Sequence, residues 1–488
     1  MIVTALVLGP ILIGLLLYLL PARAQNVAKP VAAAVGGLAF VSAALNPGAP
    51  DAMLRWLSRP FTASFHFGFG PISYWIVLLL ALTTFSAALA IGGSRSRDIA
   101  AQLLVLQGAM SGVFLAKDVL LFALFWDLML IPVYLVMLQT STHPRAAWKY
   151  LIYNLVGGLA LLLATAGFGM VTGTTDVIGA HLPGTIGTAW GLWIFSGFAF
   201  AFLVKTPVFP FHTWMPDTYA ELPAPMVALV SAVQSKAGLY GFLVIALPFL
   251  APEMLQARTL VFTLGLIALV YGALAALAER DAKRVVAYSS LSHLGLIVLA
   301  VFSGSTLAFT GAVVYIVAHG LFSAALFLTL GAVEQREETR ELGRLGGLGR
   351  RNPKLAGALM LGALAALGLP GLAGFSGEIL ILTGLFEAGF VWPALIALFA
   401  VILASAYFLR LFQGIMNGPE VPDLPERCDM NWLEGLAIAP LVAGFVLLGV
   451  NPGPVVAFAA HAARLTPPAA LTSTTSSAAE KTRVVGYH

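Results

Sequence analysis

Apolar stretches long enough to cross a bilayer recur along this chain from its first residues almost to its last. A membrane-crossing helix needs about 20 apolar residues, because the hydrocarbon core is about 30 Å thick. Such runs fall at approximately 3–20, 27–46, 72–93, 99–116, 119–138, 148–171, 190–211, 223–248, 258–278, 285–303, 306–333, 357–386, 390–413 and 434–458. The fold expected is therefore an all-α polytopic membrane protein of about fourteen transmembrane helices. Only 10% of the residues are charged, against about 25% in soluble domains.

Charge placement tests that reading. Alternating loops around 21–30, 94–98, 140–149, 279–284, 334–354 and 417–433 hold 16 of the 26 lysines and arginines. The positive-inside rule places these loops in the cytoplasm and both termini outside, as in a bacterial inner membrane. The net charge of +4 is small and calls for no nucleic-acid partner. The first run ends at Ala22-Arg23-Ala24, which mimics a signal-peptide cleavage site. It lacks a basic leader and is long enough to span, so a retained first helix is expected. The charged segment Glu334–Leu342 reads as a solvated face, and residues 465–488 as a disordered tail rich in Ser, Thr, Ala and Pro. The single cysteine, Cys428, excludes an internal disulfide and any cysteine-ligated cluster within the chain.

Against this apolar background, Phe202–Gly241 stands out. Lys205 lies inside an apolar run, Pro207, Pro210 and His212 follow, and Lys236 falls near the middle of the next run. A charge at bilayer depth costs about 2.5–3.5 kcal/mol on insertion scales. Proline removes a backbone donor, so a helix broken beside a charge points to a polar cavity or an ion path. Titratable groups also lie inside other runs: Asp127, His293, His319 and Glu378. Taken singly, each has a packing role open to it; Asp127 could pin two helices, and either histidine could be a hydrogen-bonded core residue. Together, with both signs of charge and with imidazoles present, the set favours a proton relay. Desolvation disfavours an ammonium and a nearby carboxylate favours it. Movement of Asp127 relative to Lys205 would then load or unload a proton. Lys236 and the histidines could receive it, and Glu378 could pass it on. Arg410, near the end of its run, is expected to snorkel to the surface.

A second interrupted run, 362–382, contains Pro370 among glycines and then Glu378. Matching interruptions suggest inverted repeats, with five spans in 99–248 and five in 258–413. Residues 1–98 would supply three spans ahead of the repeats, and 434–458 the last. There is no dinucleotide fingerprint after a strand, no P-loop and no haem-like histidine pair. NADH, flavin and iron–sulfur clusters are not expected in this chain.

The stretches AKDVLLFALFWDLMLIPVY, FLVKTPVFPFHTWMPDTYAELPAP, AERDAKRVVAYSSLSHLG, VAHGLFSAALFLTLGAV and GLPGLAGFSGEILIL resemble the antiporter-like membrane subunits of respiratory complex I, and among them the M-type. The resemblance covers about residues 99–415. It implies fourteen helices with two inverted five-helix repeats. It implies Asp127 as the acid paired with Lys205, a central axis of Lys236, His293 and His319, and Glu378 as the terminal exchange residue. It further implies quinone, NADH, FMN and iron–sulfur clusters in partner subunits, with L-type and N-type antiporter-like chains and small membrane subunits as neighbours. Relatives in multisubunit Na⁺/H⁺ antiporters and membrane-bound hydrogenases supply the alternative reading. Two departures stand out. Asp127 replaces the family's usual glutamate and is one methylene shorter, so the pair with Lys205 is expected to be looser, water-bridged or repositioned. Gly70-Pro71-Ile72 stands where the family tends to carry an Asp-Gly pair.

Overall fold

The computed structural model describes residues 1–21, 25–93, 95–141, 143–177, 188–417, 428–465 and 468–471. The Ala22-Arg23-Ala24 motif, most of loop 417–433 and most of the 465–488 tail lie outside the described residues; within the tail, Pro468–Leu471 is not disordered but forms a 3-10 turn tied to Arg258 through Leu471 O at 3.1 Å. Among the described residues, eleven helices are long and apolar enough to cross a membrane. Shorter apolar helices occur at Ile2–Tyr18, Trp190–Lys205 and Pro353–Ala366.

The chain opens with α1 (Ile2–Tyr18) and α2 (Gln25–Leu45), then a hairpin of β1 (Ala52–Leu57) and β2 (Ala63–Phe67). This hairpin corrects the all-α expectation. Its strands are short, aromatic-rich segments that do not register as spanning runs. Next come α3 (Pro71–Leu89), α4 (Ser96–Leu115), α5 (Val119–Leu128), α6 (Leu130–Thr140) and α7 (Pro144–Thr172). The first break separates α8 (Thr188–Lys205) from α9 (Trp214–Glu221). The following rod is not uniform: α10 (Ala224–Ala232), a 3-10 turn at Gln234–Lys236, α11 (Ala237–Gly241), a π segment at Phe242–Ala246 and α12 (Leu247–Phe249). Then come α13 (Ala251–Ala278), α14 (Ala282–Phe302), α15 (Thr306–Glu337) and α16 (Leu348–Arg351). The second break separates α17 (Pro353–Ala366) from α18 (Ala373–Glu387), and α19 (Val391–Phe412), α20 (Trp432–Val450) and α21 (Gly453–Leu465) complete the fold. The single run read at 434–458 is thus two helices. Asn451-Pro452-Gly453 divides it, as a proline-glycine turn should.

Burial sorts the helices into a centre and a rim. The α4 helix, the Ala224–Phe249 rod, α14 and α15 are almost wholly buried, whereas α7, α19 and α20 bury a minority of their surface. A helix apolar on all sides belongs either in a large core or against lipid, and here both cases occur. Leu159 and Leu163 on α7 and Phe399 and Ile402 on α19 face outward. Exposed Trp148, Trp190, Trp193, Trp392 and Trp432 sit near helix ends, where amphipathic rings suit the lipid–water boundary.

The loops collect on two faces. On one, the hairpin is laced to the 116–118 and 173–177 turns by Lys117 N→His66 O (2.8 Å), Thr175 N→Thr62 O (2.9 Å) and Val119 N→Thr175 O (2.8 Å). On the other, lysine- and arginine-rich loops meet. Lys149 pairs with Asp217 at 2.8 Å, and Arg284 also reaches Asp217. Arg340 bridges Glu221 at 3.0 Å and Asp281. The Glu334–Leu342 segment is therefore not simply a solvated face. Its first residues extend α15, Glu334 pairs with Lys283, and Arg336 forks onto both Glu434 oxygens at 2.8 Å. Arg410 is exposed and donates to Leu277 O, in keeping with snorkelling.

Candidate functional site: a buried line of charge

The two breaks place charged side chains at the bundle centre. Helix α8 stops at Lys205 because Pro207 and Pro210 cannot continue the ladder. A carbonyl freed near the stop, Val204 O, is taken by the Trp214 indole N–H at 3.0 Å. Helix α17 stops at Ala366; Gly368 then adopts φ +75°, a conformation that disfavours any side chain. Gly368 also makes room, since a Cβ there would lie 2.0 Å from Glu378 Oε2.

Asp127, near the end of α5, lies against Gly158 of α7; a Cβ on Gly158 would come within 1.9 Å of Asp127 Oδ1. Lys205 is buried, and its ammonium stands over the Trp126 ring, 5.0 Å from the centroid. Among the described residues, neither Asp127 Oδ1 nor Lys205 Nζ has a hydrogen-bond partner. Asp127 Oδ1 and Lys205 Nζ are therefore not hydrogen-bonded to each other. Past Lys205, Gly238 packs on Phe202 O and Thr206 Oγ1, which brings α11 against the end of α8.

Lys236 sits in the 3-10 turn, where tighter winding interrupts the α-helical ladder within the Ala224–Phe249 rod. Its ammonium donates to Ser231 O, to Ser235 Oγ (3.3 Å) and to His319 Nδ1 (2.7 Å) on α15. His319 and His293 of α14 meet edge to face, with centroids 5.5 Å apart. His293 lies 5.8 Å from the Tyr315 ring, and the Tyr315 hydroxyl donates to Glu378 Oε1 at 2.6 Å. Contacts thus run in the order Lys236, His319, His293, Tyr315, Glu378, with Lys205 at the end of α8 on which α11 packs.

Four of the six residues named from the sequence, Lys236, His319, His293 and Glu378, are joined by these contacts; Lys205 stands over Trp126, and neither its ammonium nor Asp127 Oδ1 is hydrogen-bonded to the others among the described residues. Sequence reasoning missed Tyr315 and Trp126. Tyr315 lies four residues before His319, the spacing that puts two side chains on one helix face. Among the described residues, several polar atoms near the line are buried without a protein partner: Thr206 Oγ1, both His293 ring nitrogens and His319 Nε2. Such atoms ordinarily bind water. Chemically, the contacts from Lys236 to Glu378 bring an amine, two imidazoles, a phenol and a carboxyl group into succession. Among the described residues, no cluster of three or more His, Cys, Asp or Glu suits a metal ion.

These features define a polytopic membrane subunit of the ion-translocating type, built around charges at bilayer depth. Residues 116–404 match the sequence pattern of the NADH:quinone oxidoreductase/Mrp antiporter transmembrane family. The chain belongs to that family. It is 37% identical over 396 residues to NADH-quinone oxidoreductase subunit M of Rhodobacter capsulatus, covering 77% of each chain. It is 35% identical over 370 residues to F(420)H(2) dehydrogenase subunit M of Methanosarcina mazei, covering 72% of this chain and 73% of that one. A chain of respiratory complex I from Thermus thermophilus superposes with a TM-score of 0.84 at 32% identity, over 95% of this chain and 99% of that chain. Within the family, the chain is similar to subunits named M, among them those of NADH-quinone oxidoreductases.

Proposed function

We propose that this chain is the proton-translocating M-type membrane subunit of a complex I-type NADH:quinone oxidoreductase. In this reading the redox chemistry occurs in partner subunits that hold NADH, FMN, iron–sulfur clusters and quinone. This chain would convert it into proton transfer. The observation that carries the proposal is the line of contacts from Lys236 through His319, His293 and Tyr315 to Glu378.

The mechanism follows from the two ends of that line. Lys205 is weakly held, so a shift of the Asp127 carboxylate towards or away from it changes how well its ammonium is stabilised. A proton released there passes through water at Thr206 to Lys236. Its hydrogen bond to His319 offers the next transfer, and His293 carries the charge on to Glu378 beside Tyr315. Neighbouring L-type and N-type antiporter-like chains and small membrane subunits would flank the outward-facing α7 and α19 surfaces or their surroundings.

The three shorter apolar helices, taken with the eleven long ones among the described residues, support a reading of fourteen crossings. Residues 99–248 and 258–413 then form two inverted five-helix units, each broken beside its charge. The arginine-rich face would be cytoplasmic and both termini outside, in a bacterial inner membrane.

The test is to extract native membranes gently and follow this chain. Co-migration with a large assembly that oxidises NADH and reduces quinone is expected. A smaller assembly with sodium-dependent proton flux and no NADH oxidation would overturn the reading in favour of a Na⁺/H⁺ antiporter or membrane-bound hydrogenase subunit.

A further inference from the structure

Helices α2 and α20 both pack on α3, and they make far less contact with each other. The result is a groove on the rim of the bundle, with α3 as its floor. Its walls turn apolar side chains outward: Leu38 and Val41 on α2, and Leu436 and Leu447 on α20, are exposed. On a spanning helix such a surface meets hydrocarbon.

The groove deepens at two levels. A cavity of about 380 Å³ lies between Phe40, Leu82, Leu321, Gly444 and Leu447. At the arginine-rich face a second cavity, of about 210 Å³, has Lys29, Gln335, Asn431 and Glu434 in its lining. Lys29 and Phe40 are eleven residues apart on α2, about 17 Å along the axis at 1.5 Å per residue. That is close to half the hydrocarbon thickness of about 30 Å, the depth of one leaflet. Ala33 and Gly37 fall between them at four-residue spacing, so the wall joining the two levels is low.

The polar end carries a charge that is not cancelled. Glu434 is the acidic group facing Lys29, but Arg336 forks onto both Glu434 oxygens at 2.8 Å. Asn431 Oδ1 accepts from Glu434 N at 2.9 Å, which leaves its amide N–H groups as donors. An ammonium with amide donors at the head of an apolar groove complements a phosphate attached to a hydrocarbon chain. We infer that this groove binds one anionic phospholipid from the leaflet at the arginine-rich face, with its phosphate at Lys29 and an acyl chain laid over α3 to the Phe40 cavity. The lipid joins two helices that the protein itself leaves apart. A zwitterionic head group brings its own ammonium towards Lys29 and gains less from the site.

The experiment holds the intact complex in nanodiscs that contain phosphatidylglycerol with a photoreactive diazirine near the end of one acyl chain. Phosphatidylcholine with the same chain is the comparison, and labelling is read at peptides covering 36–45 and 440–450. The phosphatidylglycerol probe should label these peptides about five-fold more, the size expected of one lysine at an anionic head group. Lys29→Gln should bring the two probes level, and Lys29→Arg should keep the preference. Where Lys29→Gln does not assemble, raising the salt concentration on the natural complex should narrow the difference between the probes. Equal labelling by both probes in the natural complex overturns the proposal. So does labelling confined to other peptides, as when a helix of a partner subunit fills the groove. A preference that survives Lys29→Gln, is lost in Lys29→Arg or ignores salt overturns it as well.

Discussion

Lys205 ends α8 with its ammonium unbonded above the Trp126 ring, whereas the Glu378 carboxylate in the first turns of α18 is held by the Tyr315 hydroxyl at 2.6 Å. Both residues sit beside a helix break, and both are buried. A cation over an aromatic face is held without a directional bond, whereas the Tyr315 hydroxyl fixes one Glu378 oxygen by a short, directional hydrogen bond. The Lys205 end is therefore free to respond to a small movement of Asp127. The Glu378 end holds its configuration until Tyr315 moves. The asymmetry gives one end that is easily perturbed and one whose geometry is held between transfers.

Substitution at the held end should have the largest effect. Glu378→Gln keeps the shape and can still accept from Tyr315, but it cannot titrate. Net proton translocation should be abolished in an assembled complex, as measured by acidification in inverted vesicles. Tyr315→Phe should be next. It leaves the Glu378 carboxylate without its donor, a change worth about 1–3 kcal/mol. Proton transfer per turnover should slow about ten-fold, since ~1.4 kcal/mol is a factor of ten. A variant that pumps at the natural rate would remove Tyr315 from the line.

At the loose end, Gly158→Ala would place a Cβ within 1.9 Å of the present Asp127 Oδ1 position and so displace the carboxylate. A several-fold change in pumping rate is expected, with assembly retained. An unchanged rate would mean that the position of Asp127 does not govern Lys205. The smallest effect concerns the arginine-rich face. Burial pushes the Glu221 carboxyl up, but hydrogen bonds from Ser141 and Arg340 outweigh it and hold the group below the usual carboxylate range. Its contribution is complete above the unfolded-state pKa and is lost as pH falls through the folded value. The melting temperature of the complex should fall slightly more on acidification in the natural protein than in Glu221→Gln.

The residues of the line were legible because charge inside an apolar run is costly and needs a reason. Lys205, with two prolines after it, and Glu378, with Pro370 and its glycines before it, announced both breaks. Tyr315 did not stand out, since a phenol in an apolar run reads as core; only its four-residue spacing from His319 distinguishes it. The 3-10 turn at Lys236 and the π segment after it leave no clear mark, because local winding there is set by packing against α8 and α15 rather than by propensity. The β1–β2 hairpin was missed because strands of its length vanish between spanning runs. The division at Asn451-Pro452-Gly453 was visible in the letters, but apolar residues on both sides masked it.

The central claim is that protons pass along the buried line, and Lys236 is the residue both ends must share. The most direct measurement is the ratio of protons translocated to NADH oxidised for Lys236→Ala in sealed vesicles, with assembly checked on the same material. The account predicts a complex of natural size whose ratio collapses. A full natural ratio in an assembled Lys236→Ala complex would contradict it.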